Sequence, residues 1–351
     1  MISLKNVGKV IVGFALLIGW GTAVSAQKPE VLKIKTELCT VNFENASAQP
    51  NGSEPKEKDW FTPLKKQSGK PSLVSQEPVF LVVEITNESK EAYTLYFPYQ
   101  SRWLSPELKN EAGNKVPLLP KTKFTTVVDG SSVSATGGPE FVRLSPGGVY
   151  REAVCLNELY SLRRVGDYRL TTKVRFQAFR EDKTGNELGV YSRKDGVTFT
   201  QETHSALRLL NFSRRVIEKR LSQYNVALDT SKLYSRWRQI LVRGWLTFPS
   251  ELAFPSWERY VSHNPCTELF DPLNQSPTLD AARLLAFIAG NEKCSVEDRY
   301  RAMGLLMAMR MKTNTLQLPE FSGVVSAALQ QLEGHVPSVF DYLPFPVTPG
   351  D

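Results

Sequence analysis

The chain has 351 residues, 41% of them hydrophobic, and a formal net charge of +7. Enough apolar side chains are present to fill a core, which excludes a largely disordered chain, and the length suits about two domains. Four cysteines in such a length are too few for a disulfide-scaffolded miniprotein, and a charge this mild and scattered argues against nucleic acid as a partner.

Residues 1–26 read as a secretory signal peptide. Lys5 and Lys9 give a positive start, Val10 to Val24 carry no charge, and Val24-Ser25-Ala26 places small residues where a signal peptidase cuts. The uncharged run is short beside the roughly 20 residues of a spanning helix. No later segment is apolar enough to span, so the mature chain is expected to have no transmembrane segment and to be periplasmic or secreted.

From residue 27 to 212 the pattern is that of a β-domain. Val31 to Leu38 alternate apolar and polar residues, as a half-buried strand does. Glu44 to Pro78 is rich in Pro, Gly, Ser, Lys and Glu and reads as a long loop, with Trp60-Phe61 as its one apolar spot covering a sheet edge. Then Leu81, Val83 and Ile85 share one strand face, Asn87-Glu-Ser-Lys90 turns, and Tyr93 to Phe97 forms a second strand. Further turns fall at Asn110–Asn114 and Ser145–Gly148. The clearest strand is Tyr168 to Phe176, and Ala206 to Phe212 supplies the last. Short strands divided by turn clusters predict an antiparallel sandwich.

After Ser213 the period becomes helical, and residues 213–335 read as an all-α domain. Ile217, Leu221 and Tyr224 make one stripe, and Leu233, Trp237, Ile240, Leu241 and Trp245 a second. A third helix runs from Ser276-Pro277 to Gly290, and a capping box at Ser295–Asp298 opens a fourth through Lys312. Pro319 opens a fifth that Gly334 closes, and the Pro-rich tail 336–351 is extended. The expected class is therefore α+β in two domains, a β-sandwich followed by a helical bundle or stacked helical hairpins.

Phe80-Leu-Val-Val-Glu-Ile-Thr-Asn87, Thr94-Leu-Tyr-Phe-Pro98, Leu144-Ser-Pro-Gly-Gly148 and Gly166-Asp-Tyr168 occur in that order. Over about residues 80–212 this resembles the immunoglobulin-like β-sandwich of exported bacterial proteins and is most similar to the intracellular proteinase inhibitor type. The resemblance implies a fold; its motifs are turns and core positions, which specify no activity.

An even cysteine count in an exported chain favours disulfides. Keeping each pair within one domain selects Cys39–Cys155 and Cys266–Cys294 from the three possible pairings. Zinc is disfavoured, since C-x-x-C spacing is absent and there are only three histidines. None of these histidines begins H-E-x-x-H, and neither a G-x-S-x-G elbow nor a phosphate loop occurs, so no catalytic residue, metal or cofactor is assigned. Met303, Met307 and Met311 share a helix face and read as core packing rather than a soft-metal site. Among the aromatics, Trp257 and Tyr260 are the ones left for ligand binding. These readings together predict an exported, non-enzymatic binding or scaffold protein whose partner is a protein or an envelope polymer. The alternatives are a proteinase inhibitor or a hydrolase of envelope polymers.

Overall fold

Apolar residues on alternate positions build two sheets that share one interior. A computed structural model of the chain describes residues 31–44, 55–64, 66–67, 70–73, 77–97, 103–118, 140–160, 162, 164–180, 196–210, 213–233, 235–275 and 279–315, with 323, 325–327 and 330 beyond. The expected signal peptide, the Pro-rich tail and most of the helix opened by Pro319 lie outside the described residues.

The strands are β1 (Leu32–Val41), β2 (Phe61–Pro63), β3 (Lys66–Gln67), β4 (Lys70–Leu73), β5 (Phe80–Asn87), β6 (Tyr93–Phe97), β7 (Leu104–Asn110), β8 (Glu140–Leu144), β9 (Val149–Cys155), β10 (Gly166–Arg180) and β11 (Val197–Leu209). The smaller sheet has the order β2-β1-β5-β9 and the larger β3-β4-β11-β10-β6-β8, with β7 also on β10. Strands β6 and β7 occupy successive halves of one position: Tyr96 pairs with Gln177, and Leu104 with Val174. Leu81, Val83 and Ile85 from one sheet and Phe97, Leu170, Val174 and Phe176 from the other fill the space between the two sheets.

Two features define the topology. The order β1-β5-β9 against β6-β10-β11 is the A-B-E on C-F-G arrangement of an immunoglobulin-like sandwich. At the start of β10, the Tyr168 hydroxyl donates to the Arg164 carbonyl at 2.8 Å, the tyrosine corner that locks this crossover. The chain therefore contains an immunoglobulin-like β-sandwich. The segment expected to be one long loop, 44–78, is partly regular: besides a single 3-10 turn at Glu57–Asp59 it supplies β2, β3 and β4. Backbone pairing of β2 to β1 satisfies groups that composition alone leaves to water.

The helices are α1 (Leu156–Leu159), α2 (Arg214–Thr230), α3 (Arg236–Trp245), α4 (Ser250–His263), α5 (Thr267–Gln275), α6 (Leu279–Gly290) and α7 (Val296–Thr315). Helix α2 packs on α4 and α4 on α6, while α3 packs on α5 and α5 on α7, so the chain forms two rows of stacked hairpins. Gly244 of α3 is required by this stacking, because a Cβ there would lie 2.5 Å from the Tyr224 hydroxyl of α2. Helices α4 and α5 were not expected; Pro255 and Pro272 sit inside them. Pro255 is exposed, and the buried Ala253, Trp257, Tyr260 and Val261 keep the helical period around it.

The boundary expected at residue 212 separates the two parts in sequence but not in packing. Val41, Phe43, Trp60, Phe80 and Cys155 from the strand half belong to the same core cluster as Trp237, Trp245 and Phe248. Trp60 and Trp237 lie with ring centroids 5.6 Å apart, and the Trp60 indole donates to the Pro55 carbonyl at 2.7 Å. Trp60 thus joins sheet to helix rather than capping an edge. The result is three layers: helices, small sheet, large sheet. Among the described residues, ion pairs across the first junction all run one way, with arginine on the helices and glutamate on the sandwich side. Arg220 meets Glu77 at 2.7 Å, Arg236 meets Glu57 at 2.9 Å, and Arg243 meets Glu158 at 3.1 Å.

Candidate functional site

Trp257 and Tyr260, expected to face a ligand, are 1% and 4% exposed and belong to the helical core. That expectation is corrected: the i, i+3 spacing from Trp257 to Tyr260 places both on the face of α4 that packs inward. Burial pushes the Tyr260 phenol above its ordinary pKa. Its hydroxyl accepts from Arg238 at 2.7 Å and donates to Glu268 at 3.0 Å. Arg238 is itself only 2% exposed, and its Nε lies 2.6 Å from Glu268. It also donates to the Leu228 carbonyl and to Asn264, so one guanidinium ties α2, α4 and α5 together. Burial alone would lower the Arg238 pKa; its bonds to Glu268 and Tyr260 outweigh that and hold it above the usual arginine value. Sequence reading missed this cluster. The signal was present, since Arg238 shares a helix face with Leu241, Val242 and Trp245.

Between α2 and α4 lies a groove of about 230 Å³ lined by Asn225, Asp229, Ser256, Arg259, His263 and Asn264, with Leu228 and Tyr260 at its floor. That volume falls below the ~300 Å³ at which ligand pockets begin. Its polar groups are engaged with one another: Arg259 pairs with Asp229 at 3.0 Å, and Asn225 donates to Ser256 at 3.0 Å. The His263 Nδ1 is 2.8 Å from the Arg259 carbonyl. The groove is a seam between helices, held closed by its own hydrogen bonds.

All four cysteines are free thiols and buried. Cys39 and Cys155 both register with Phe80, from opposite sides of β5. Two strand spacings separate them, roughly 10 Å, whereas a disulfide needs Cα atoms within about 7 Å. The Cys39–Cys155 pairing is therefore corrected. Burial pushes the Cys39 thiol up to about 12 and raises Cys155 and Cys266 as well, so each stays protonated and unreactive near neutral pH. Cys266 and Cys294 are brought together, with their sulfurs 3.8 Å apart. Oxidised material is expected to bridge this pair alone, leaving Cys39 and Cys155 alkylatable after denaturation. Peptide mapping checks it, and the closed loop is worth about 3 to 4 kcal/mol in the chain-entropy model.

The methionine stripe divides. Met303 packs against the core, but Met307 is 50% exposed, so packing does not account for the whole face. The Met311 side chain lies outside the described residues. Among the described residues no group of three or more His, Cys, Asp or Glu side chains could hold a metal ion.

Among the described residues, the outer face of the larger sheet is exposed along β10. Along β10 the inward residues Leu170, Val174 and Phe176 alternate with exposed Arg169, Lys173 and Arg175. Helices cover the other outer face of the sandwich at the Phe80 end, where Phe80 and Val82 meet the helical core. Among the described residues, helices cover the outer face of the smaller sheet alone.

No protein-family model matches the chain, and no curated protein matches it either. Solved structures with some likeness include the C-terminal domain of Wzt, at 11% identity and a TM-score of 0.21 over 53% of this chain and 81% of that one. A PapD-like domain of human CEP192 matches at 11% identity and a TM-score of 0.20 over 46% of this chain and all of that domain. The alpha-2-macroglobulin of E. coli matches at 9% identity and a TM-score of 0.21, over 86% of this chain but 22% of its own. At such scores these likenesses carry no weight, and the strand order and tyrosine corner above define the fold. No helix among the described residues is long and apolar enough to cross a membrane.

Proposed function

We propose that this is an exported, non-enzymatic binding or scaffold protein, in which the helical layer stiffens one sheet and the opposite sheet face is offered to a partner. The observation that carries this reading is the asymmetry of the sandwich. The outward side of β5 is buried under helices at Phe80, while the outward side of β10 is charged and solvated at Arg169, Lys173 and Arg175. A rigid sheet presents such side chains at fixed spacing with little ordering cost on binding. The buried groups with raised pKa values, Arg238, Tyr260 and the thiols, keep their ordinary protonated forms and are held in the packed interior. Support for a hydrolase would be two convergent carboxylates in a cleft; the α2–α4 groove offers Asp229, already paired with Arg259.

Mixed with isolated cell-envelope material, the mature protein is expected to sediment with it and to release no soluble fragments. Protein that stays wholly in the supernatant overturns the reading, and fragment release in proportion to added protein replaces it with the hydrolase. The inhibitor alternative rests on the turn motifs at Asn87, Ser145–Gly148 and Tyr168, and slowing of any member of a serine and metalloprotease panel would favour it.

A further inference from the structure

The outer face of the larger sheet carries more positive charge than its own carboxylates neutralise. Each carboxylate contributed by β7, β10 and β11 is already engaged. Glu107 is held by Lys115 at 2.6 Å and Lys109 at 3.5 Å. Glu202 is held by Lys173 at 3.3 Å, and Asp167 by Arg208 at 2.6 Å. Among the described residues, Arg169 and Arg175 have no acidic partner, although both are exposed on β10. They stand six residues apart on one strand, roughly 20 Å at strand rise, with Lys173 between them. Unpaired guanidinium groups along a straight track suit a chain of repeating anions better than a single small one.

The Arg175 end of the track has a different character. Tyr96, beside Gln177 on β6, faces outward, and its ring centroid lies 5.0 Å from that of Phe141 on β8. Both rings are half-buried, leaving an apolar ledge next to the cationic row. Aromatic faces stack on the C–H faces of sugar rings, and guanidinium groups bind planar carboxylates in two-point fashion. Polyphosphate would use the cations and give the ledge no counterpart, and duplex DNA keeps its base faces stacked away from it.

We propose that this face binds a carboxylate-bearing polysaccharide, with Arg169, Lys173 and Arg175 meeting the carboxylates and the Tyr96–Phe141 ledge seating a sugar ring. The proposal rests on the binding reading above and names the ligand class for that face. Exposed cations bind a polyanion largely through screened charge, so affinity falls as salt rises across the range where the Debye length shrinks from about 10 Å.

Polygalacturonate is the probe, with neutral dextran, polyphosphate and duplex DNA beside it, read by affinity electrophoresis and by titration calorimetry on the mature chain. Wild type is expected to bind polygalacturonate and not dextran, and R169Q/R175Q to bind it at least tenfold more weakly with an unchanged melting temperature. The double variant R214Q/R215Q removes the same charge from the surface of α2 and is expected to bind as wild type does. Y96A is expected to weaken polygalacturonate while leaving any residual polyphosphate binding unchanged. Equal loss in both double variants, or polyphosphate or DNA bound as tightly as polygalacturonate, means attraction to net charge and overturns the proposal. Polygalacturonate binding unaffected by R169Q/R175Q, or none at all, overturns it too. Protein that still sediments with envelope material under that result keeps the binding reading and loses only this face as its site.

Discussion

Arg238→Ala is expected to cost about 3 to 5 kcal/mol of folding stability, the range found when one partner of a buried ion pair is removed. The loss is large because Glu268 remains: its side chain is 4% exposed and would lose its guanidinium partner while still bonded by the Tyr260 hydroxyl. Arg238 also satisfies the Leu228 and Ser231 carbonyls at the end of α2. Both carbonyls would lose these bonds, although the Leu228 carbonyl would keep the Ser231 hydroxyl at 3.1 Å. Urea unfolding of the two proteins measures the effect as a shift in midpoint. Arg238→Met with Glu268→Leu should recover much of the loss, since two apolar chains of similar volume remove the stranded charge with the pair. A single-variant cost below about 1 kcal/mol would mean that the pair is solvated in solution, as surface pairs are. It would also show that the three helices are not tied at this point.

This cluster shows where sequence reading succeeds and where it stops. The strand faces at Leu81, Val83 and Ile85, and the helical stripe at Ile217, Leu221 and Tyr224, follow from period alone, because one side of each element meets the core. Burial on two sides is harder to see. At Leu38 the pattern in β1 changes from alternating to continuously buried, since beyond it helices cover the second face. The run Phe80-Leu-Val-Val83 carried the same information, and with it the fact that the helices dock there. Prolines hid α4 and α5, although Leu269, Phe270 and Leu273 keep helical spacing around Pro272. Cysteine pairing was misread for a related reason: Cys39 and Cys155 belong to one sheet, but register puts β5 between them. The charged track on β10 was visible as Arg169, Lys173 and Arg175. What period could not supply was that Glu202 on β11 pairs with Lys173 while Arg169 and Arg175 meet no carboxylate among the described residues, because strand order is a long-range property.

Asn87→Leu is the second substitution expected to cost about 3 to 5 kcal/mol, summed from buried groups left unsatisfied at roughly 1 to 3 kcal/mol each. Asn87 is fully buried at the end of β5. Its amide nitrogen donates to the carbonyls of Glu91, Leu144 and Ser145, between 2.7 and 3.1 Å. Its amide oxygen accepts from the Ser89 backbone at 3.0 Å and the Ser89 hydroxyl at 2.7 Å. The backbone of Asn87 exchanges bonds with Gly147 and Gly148 as well. One side chain thus fixes two turns, the β5–β6 connection and the crossing from β8 to β9, where Gly147 adopts a φ of +71 that few other residues tolerate. Leucine fills a similar volume and satisfies none of these carbonyls. Asn87→Asp separates hydrogen bonding from shape through pH. A protonated carboxyl can donate to one of the three carbonyls, while a carboxylate faces them with charge and no donor. The folded-state pKa of this aspartate is therefore raised above the ordinary ~3.9. Stability of the variant should be nearest wild type below that value and fall away as pH rises through the folded pKa. Parallel denaturation curves for the wild type and Asn87→Asp between pH 3.5 and 7, with a gap that does not widen, would show that the amide nitrogen is not what holds the two turns together.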